Sequence, residues 1–298
     1  MSAPMTDNTR GALYMAGAMT AFTVNDACMK ALAGEVPLFQ VIFLRGVLTT
    51  LLIGGFLLLR SPALLRLPKQ ELRIVLLRSG AEAFAAVFFF AALFNMPIAN
   101  VSAILQVLPL TVTFAAWMFL SEQIGWRRFA AILAGFVGVL IIVRPDADGF
   151  SIHAGYALLA VLGATVRDVL TRKLNPQTSS LAVTLFTSGG VTLMAGMASL
   201  FVPWVPLTAS SAGLIGVASF IILAAYLLIV LAMRKGELSF VAPFRYTSLL
   251  VAIIIGMVVF DEFPDLITYA GAVVVVGSGL YTLHRERWAK AARTLRPR

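Results

Sequence analysis

The sequence predicts an all-α membrane protein of ten transmembrane helices, arranged as two inverted five-helix repeats with both termini in the cytoplasm. Three observations carry this. First, 60% of the 298 residues are hydrophobic and only 12% are charged, against about 25% charged in soluble domains; mean hydropathy is +0.92. Most of the surface must therefore face something apolar. Second, the apolar residues fall into ten runs of roughly 20 residues, each long enough to cross a bilayer as a helix. Third, Lys and Arg concentrate on alternate breaks between those runs. The composition also argues against soluble enzymes, zinc modules and disulfide-stapled domains, and the single cysteine, Cys28, leaves no intramolecular disulfide.

In chain order, the first segment, 11–31, is too long and too polar for a cleavable signal, with Asn25 and Asp26 near its end. The second, 38–59, holds Arg45 in its outer half. The third, 72–94, is rich in phenylalanine and stops at Phe94-Asn95-Met96-Pro97. The fourth, 98–120, contains Asn100, Gln106 and Pro109 and stops at Ser121-Glu122-Gln123. Trp126 opens the fifth, 126–144, whose small residues are suited to packing. The sixth, 152–172, ends near Arg167-Asp168, and Trp204 lies between the seventh, 180–202, and the eighth, 211–233. The ninth, 239–260, has Pro243, Arg245 and Tyr246 near its start, and Asp261-Glu262-Phe263-Pro264 separates it from the tenth, 265–284. Helices are required because each satisfies its own backbone in hydrocarbon, and the runs lack the alternation of barrel strands. Residues 1–298 read as one polytopic domain, with repeats at 11–144 and 152–284 and a basic cytoplasmic tail at 285–298 that anchors at anionic headgroups.

With the N-terminus inside, 17 of the 23 Lys and Arg fall on cytoplasmic segments, from Arg10 to the tail. Only Lys30 and Arg144 fall outside; Arg45, Arg78, Arg167 and Arg245 lie within helices. This asymmetry sets the orientation, and an even number of crossings agrees with it.

The halves resemble each other. Asn25-Asp26 matches Arg167-Asp168, 142 residues on, and the stretch from Ala99 to Pro109, before Ser121-Glu122, matches that from Ser239 to Leu249, before Asp261-Glu262. After each Glu, small residues recur seven apart, at Ala131 and Gly138, then at Gly271 and Ser278. Five helices per half make the second copy enter the membrane upside down, the architecture of alternating-access transporters with a midplane substrate site.

On these residues the chain resembles the drug/metabolite transporter superfamily, in its EamA-type branch, from about Gly11 to Leu283. In that family each repeat ends in Gly/Ser-Glu, a small residue nine positions on and another seven later; Glu122, Ala131 and Gly138 fit, as do Glu262, Gly271 and Ser278, with Ala131 and Ser278 departing only in which small residue they use. The resemblance implies secondary transport of small metabolites, often export of amino acids, across a bacterial inner membrane.

Ionisable groups in hydrocarbon need a reason. Glu82 lies near the bilayer centre and suits a substrate ammonium or a proton; the alternative is a structural ion pair with Arg78, four residues earlier. Asp26, beside Lys30, and Asp168, beside Arg167, read first as interface or gate contacts, and Arg45 is expected to pair with an acidic neighbour. Pro243 removes a backbone donor before Arg245 and Tyr246 and opens the helix there. Arg245 suits a carboxylate, or else snorkels to the interface. Asn100 and Gln106 are the counterparts on the fourth segment, and Gln106 suits either an amino acid or an interhelical hydrogen bond. Phe84 and Phe88 share a face with the turn of Glu82 and offer an apolar wall, although most phenylalanines face lipid. The candidate substrate-binding set is thus Glu82, Phe88, Asn100, Gln106, Arg245 and Tyr246, between the halves near the midplane.

The expected function is a secondary transporter exporting small amphiphilic metabolites, chiefly aromatic or other hydrophobic amino acids, by alternating access, with protons as the candidate coupling ion. The partners are a small-molecule substrate and the lipid bilayer, with no nucleic acid. No enzyme activity, cofactor or metal is expected: His153 and His284 are 131 residues apart, and no Gly-rich phosphate loop is present. The alternatives are export of a non-amino-acid drug or metabolite, and an intramembrane lipid-modifying enzyme, for which Asp261, Glu262 and Asp265 are the nearest acidic group. A channel is disfavoured by the few pore-lining polar rings.

Overall fold

The computed structural model describes residues 6–60, 69–120, 125–144, 151–175, 178–235 and 238–294. Among them all regular structure is helical: α1 Asp7–Lys30, α2 Leu38–Arg60, α3 Lys69–Leu93, α4 Ile98–Leu105, α5 Leu108–Leu120, α6 Trp126–Val143, α7 Ile152–Thr171, α8 Ser180–Ser199, α9 Ala209–Lys235, α10 Leu238–Val241, α11 Thr247–Val259 and α12 Leu266–Thr294. A 3-10 turn, Ala242–Tyr246, joins α10 to α11. Glu122 lies outside the described residues.

Seven spans are long and apolar enough to cross a membrane, and Phe129–Val143 and Leu266–Thr282 are shorter apolar helices. α1 is equally long but carries Asp7, Arg10, Asp26 and Lys30. Leu59, Phe201 and Leu266 each expose more than four-fifths of their surface. A surface this apolar is stable against lipid, and the chain is a multi-pass membrane protein.

Local chemistry sets the ends and breaks. α1 begins four residues before the predicted start because the Thr6 hydroxyl caps it, accepting from the Thr9 amide at 3.3 Å. α12 continues to Thr294 instead of stopping at 284, since the segment 285–294 contains neither Gly nor Pro. The fourth predicted helix is interrupted between α4 and α5, where Pro109 cannot donate to the carbonyl four residues back. The opening expected at Pro243 is present as the 3-10 turn.

The packing runs between the two halves of the chain. α1 lies along α9 and α3 along α7; α2 packs on α8, α6 on α12, and α4 on α11. With α4–α5 and α10–α11 each counted as one rod, exchanging every rod of the first half with the rod five places later returns the same pairs. The pairs α2 and α8, α4 and α11, and α6 and α12 run antiparallel. Along α2 and α8, Phe43 meets Gly196, Thr50 reaches Ser188 at 2.9 Å and Thr192 at 3.3 Å, and Gly54 meets Leu185. α6 and α12 touch through small residues: a Cβ on Gly271 would stand 2.8 Å from the Gly138 carbonyl oxygen. One apolar core gathers around α4–α7 and α12, a second around α1–α3, α8 and α9.

Candidate functional site

Charged side chains meet in the middle of this bundle. Glu82 on α3 accepts from Arg167 Nη1 on α7 at 2.7 Å, and Arg167 Nε donates to Asp168 at 2.8 Å. The expected pair of Glu82 with Arg78 does not form. Antiparallel packing of α3 on α7 instead brings Arg167 to Glu82, and Arg78 donates to the hydroxyls of Thr171, at 2.7 Å, and Thr187. Arg167 satisfies two carboxylates from one planar fork.

Asn25, Asp26 and Arg45 form a second group on α1 and α2. Asn25 Nδ2 donates to Asp26 Oδ1 at 3.0 Å, and Arg45 Nη1 donates to Asn25 Oδ1 at 3.3 Å. Arg45 therefore meets an amide, not the carboxylate expected for it, and its guanidinium also lies 5.0 Å over the Phe90 ring. Tyr226 on α9 packs edge to face on Phe22 of α1, with ring centroids 5.5 Å apart. Glu82, Arg167 and Asp168 keep 23%, 21% and 28% of their side-chain surface accessible.

The other candidates are spread more widely. Phe88 packs 4.6 Å from the Phe84 ring and 5.6 Å from Tyr156, forming an aromatic wall between α3 and α7. Gln106, in the break between α4 and α5, donates to Ser248 Oγ at 2.7 Å, and Ser248 donates to the Arg245 carbonyl at 3.0 Å. Gln106 thus ties the two broken rods together. Asn100 on α4 has a buried amide oxygen without a partner. Arg245 lies in the 3-10 turn and is not among the charged groups acting on Arg167 or Arg78. Tyr246 is buried, with its hydroxyl pressed against Gly279 of α12. The structure pairs Glu82 with Arg167 of α7, not with Arg245. Arg167, Asn25, Arg45 and Tyr226 are the residues the sequence reading left outside its set. The signal for two of them was present, since Arg167-Asp168 is the repeat mate of Asn25-Asp26.

At the bundle end that carries the α1–α2 loop, Lys30 closes a separate knot. Its ammonium stands 2.9 Å from Glu262 and donates to the carbonyls of Leu93, at 3.0 Å, and Met96. Asp261 adopts a left-handed conformation, φ 52°, and the Glu262 amide returns to the Gly256 carbonyl at 2.9 Å. Asp tolerates that conformation, and the turn aims Glu262 at Lys30 and at the Ile98 amide, 2.8 Å away. Nearby, Arg144 bonds Asp265 and holds its carboxyl well below the usual carboxylate range. A groove of about 540 Å³ between α6 and α12 lies apart from these charges; Trp126, Arg127 and Tyr281 line it beside small residues.

The chain is similar over most of its length to known transporters. The chain is 26% identical over 270 residues to an S-adenosylmethionine uptake transporter of Rickettsia bellii, covering 90% of this chain and 91% of that one. It is 28% identical over 269 residues to the pseudopaline exporter CntI of Pseudomonas aeruginosa, with 89% and 93% covered. A riboflavin transporter of Rhizobium johnstonii is 28% identical over 221 residues, 72% and 69% of the two chains. One crystal structure shares the fold with a TM-score of 0.64 at 17% identity, covering 94% of this chain and 99% of that one. The model of the EamA-like transporter family matches twice, at residues 9–144 and 152–283, and the chain belongs to that family.

Proposed function

We propose that this chain is a secondary transporter that exports small amphiphilic amino acids, aromatic or otherwise hydrophobic, by alternating access across a bacterial inner membrane. The observation that carries this is the Glu82–Arg167–Asp168 network, which is deep in the bundle yet still accessible. A metabolite carrying both an ammonium and a carboxylate finds charges of both signs in and beside this network, and Phe84, Phe88 and Tyr156 supply an apolar wall. Ten crossings in two inverted repeats, with both termini inside, are supported by the 17-to-2 charge asymmetry, the exchangeable helix pairs and the antiparallel counterparts. Two such halves can exchange conformations around a fixed site, and closure at Lys30–Glu262 is in keeping with one of them. Asn100, Gln106, Arg245 and Tyr246 lie on the broken rods whose rearrangement would open and close the path. Protons are the proposed coupling ion, with Glu82 the acceptor. The named relatives carry chemically different metabolites, so the substrate follows from this chain's own charges.

The test is flux of labelled amino acids into proteoliposomes with and without an imposed pH gradient. Saturable flux, reduced in Glu82→Gln and Arg167→Gln with the protein still folded, is expected. Absence of saturable flux for every amino acid tested would overturn the reading.

A further inference from the structure

We propose that Asp26 and Arg45 are the two poles of a headgroup site for zwitterions, and that Asn25 holds the place of the ligand when the site is empty. The proposal rests on the transport reading above and makes the binding mode specific. Asp26 and Arg45 act on each other electrostatically, and among the described residues they form no ion pair. Both instead engage one amide. Asn25 offers its nitrogen to the Asp26 carboxylate at 3.0 Å and its oxygen to the Arg45 guanidinium at 3.3 Å. Its amide thus presents a donor to the acid and an acceptor to the base, the polarity of an α-amino acid head, whose ammonium would face Asp26 and whose carboxylate would face Arg45.

The comparison with Arg167 is instructive. Arg167 has both edges occupied, by Glu82 and by Asp168. Arg45 uses Nη1 alone, toward a neutral oxygen at the long end of hydrogen bonding, and its Nε is buried without a partner. A guanidinium can hold a carboxylate through two parallel bonds, and Arg45 has that edge unspent. Phe90 supports it from below at 5.0 Å, which fixes its plane. Phe22 and Tyr226, edge to face at 5.5 Å, supply aromatic surface beside α1. Charged hydrogen bonds are about twice as strong as neutral ones, so an incoming zwitterion outcompetes the amide and displaces Asn25. An exchange of this kind avoids ever leaving two opposite charges bare in the membrane.

The test uses the full chain in detergent, with L-phenylalanine as probe and two analogues: phenethylamine, which lacks the carboxylate, and 3-phenylpropanoate, which lacks the ammonium. Binding is read by calorimetry, with transport measured in parallel. Wild-type protein is expected to bind L-phenylalanine at least about tenfold more tightly than either analogue, because each analogue forfeits one charged bond. Asp26→Asn should erase the preference over 3-phenylpropanoate, and Arg45→Gln the preference over phenethylamine. Asn25→Ala should tighten L-phenylalanine binding severalfold, an effect that a merely structural asparagine would not give. Equal binding of all three compounds by the wild type, or no binding of L-phenylalanine, would overturn the headgroup site; neither result requires a variant to fold. Saturable flux of another amino acid in that case would leave the transport reading standing, so the two failures are separable.

Discussion

Gln106 and Ser248 are 142 residues apart in the chain and 2.7 Å apart in space. Thr50 and Thr192 are separated by the same 142 residues and meet at 3.3 Å. This is also the offset between Asn25-Asp26 and Arg167-Asp168. Gln106–Ser248 marks where the two broken rods cross. Hydrogen bonds between membrane helices average about 0.6 kcal/mol and reach about 1.7. Gln106→Leu should therefore lower stability by about 1 kcal/mol. Ser248→Ala should do the same, and the double variant should cost scarcely more than either alone. Thermal unfolding in detergent reads this, and strictly additive losses would show that the pair does not act as a unit.

Lys30→Met removes one ion pair and two carbonyl bonds from the knot that joins α1, the α3–α4 link and the turn after α11. Leaving Glu262 half-buried without its cation costs about 3 kcal/mol, all of it charged against the closed arrangement. Cys28, the sole cysteine, lies two residues away on α1. Its modification by an impermeant maleimide added from the Lys30 side should rise by about tenfold or more, at about 1.4 kcal/mol per factor of ten. An unchanged labelling rate would mean that the knot does not hold that end shut.

The Asp265 carboxyl is depressed below its ordinary 3.8, first by its hydrogen bond to Arg144 and then by those to Thr268. A depressed folded-state value contributes stability that is fully present above pH 3.8 and is lost as pH falls further. Asp265→Asn should flatten the acid limb by lowering stability slightly above about pH 4, with the variant and wild-type curves converging as pH falls further. An acid limb identical in the variant and the wild type would remove Asp265 from the account.

Gly271→Ala should destabilise by about 1–3 kcal/mol, because the new methyl meets Ile142 at 2.6 Å and the Gly138 backbone at 2.8 Å. Gly277, six residues on, has nothing within 4 Å of an added Cβ, so Gly277→Ala should be neutral. Unfolding curves that rank the two variants equally would contradict the close α6–α12 crossing.

Much of the fold was legible because hydrocarbon is a demanding solvent: length, hydropathy and Lys/Arg placement drew the segments, and Pro243 marked one break, whereas the break at Pro109 fell inside a segment read as continuous. Glu82 was also legible, since a carboxylate in mid-membrane needs a cause. Its partner was not. Arg78 is four residues away on the same helix, whereas Arg167 is 85 residues away and arrives only through the packing of α3 on α7. Nor does spacing tell whether Arg45 meets an acid or an amide, because α1 and α2 decide that by how they cross. The ends of α1 and α12 were misplaced because capping by Thr6 and the helix-forming sequence after His284 extend helices beyond their apolar cores.

The polarity of α1 bears on how the protein is made. It is the first described helix to leave the ribosome, and it carries Asp26 and Lys30 close to its C-terminal end. Its long neighbour α9 begins only at Ala209, and the carboxylate that neutralises Lys30 comes later still, at Glu262. The nascent chain therefore carries a half-satisfied first helix through most of synthesis. Its lodging is completed in the last stages, when α9 and the turn after α11 arrive to enclose it. Chains cut short before Ala209 should remain dependent on the insertion machinery and be cleared by membrane proteases, while the full chain locks α1 in place as its final act of assembly.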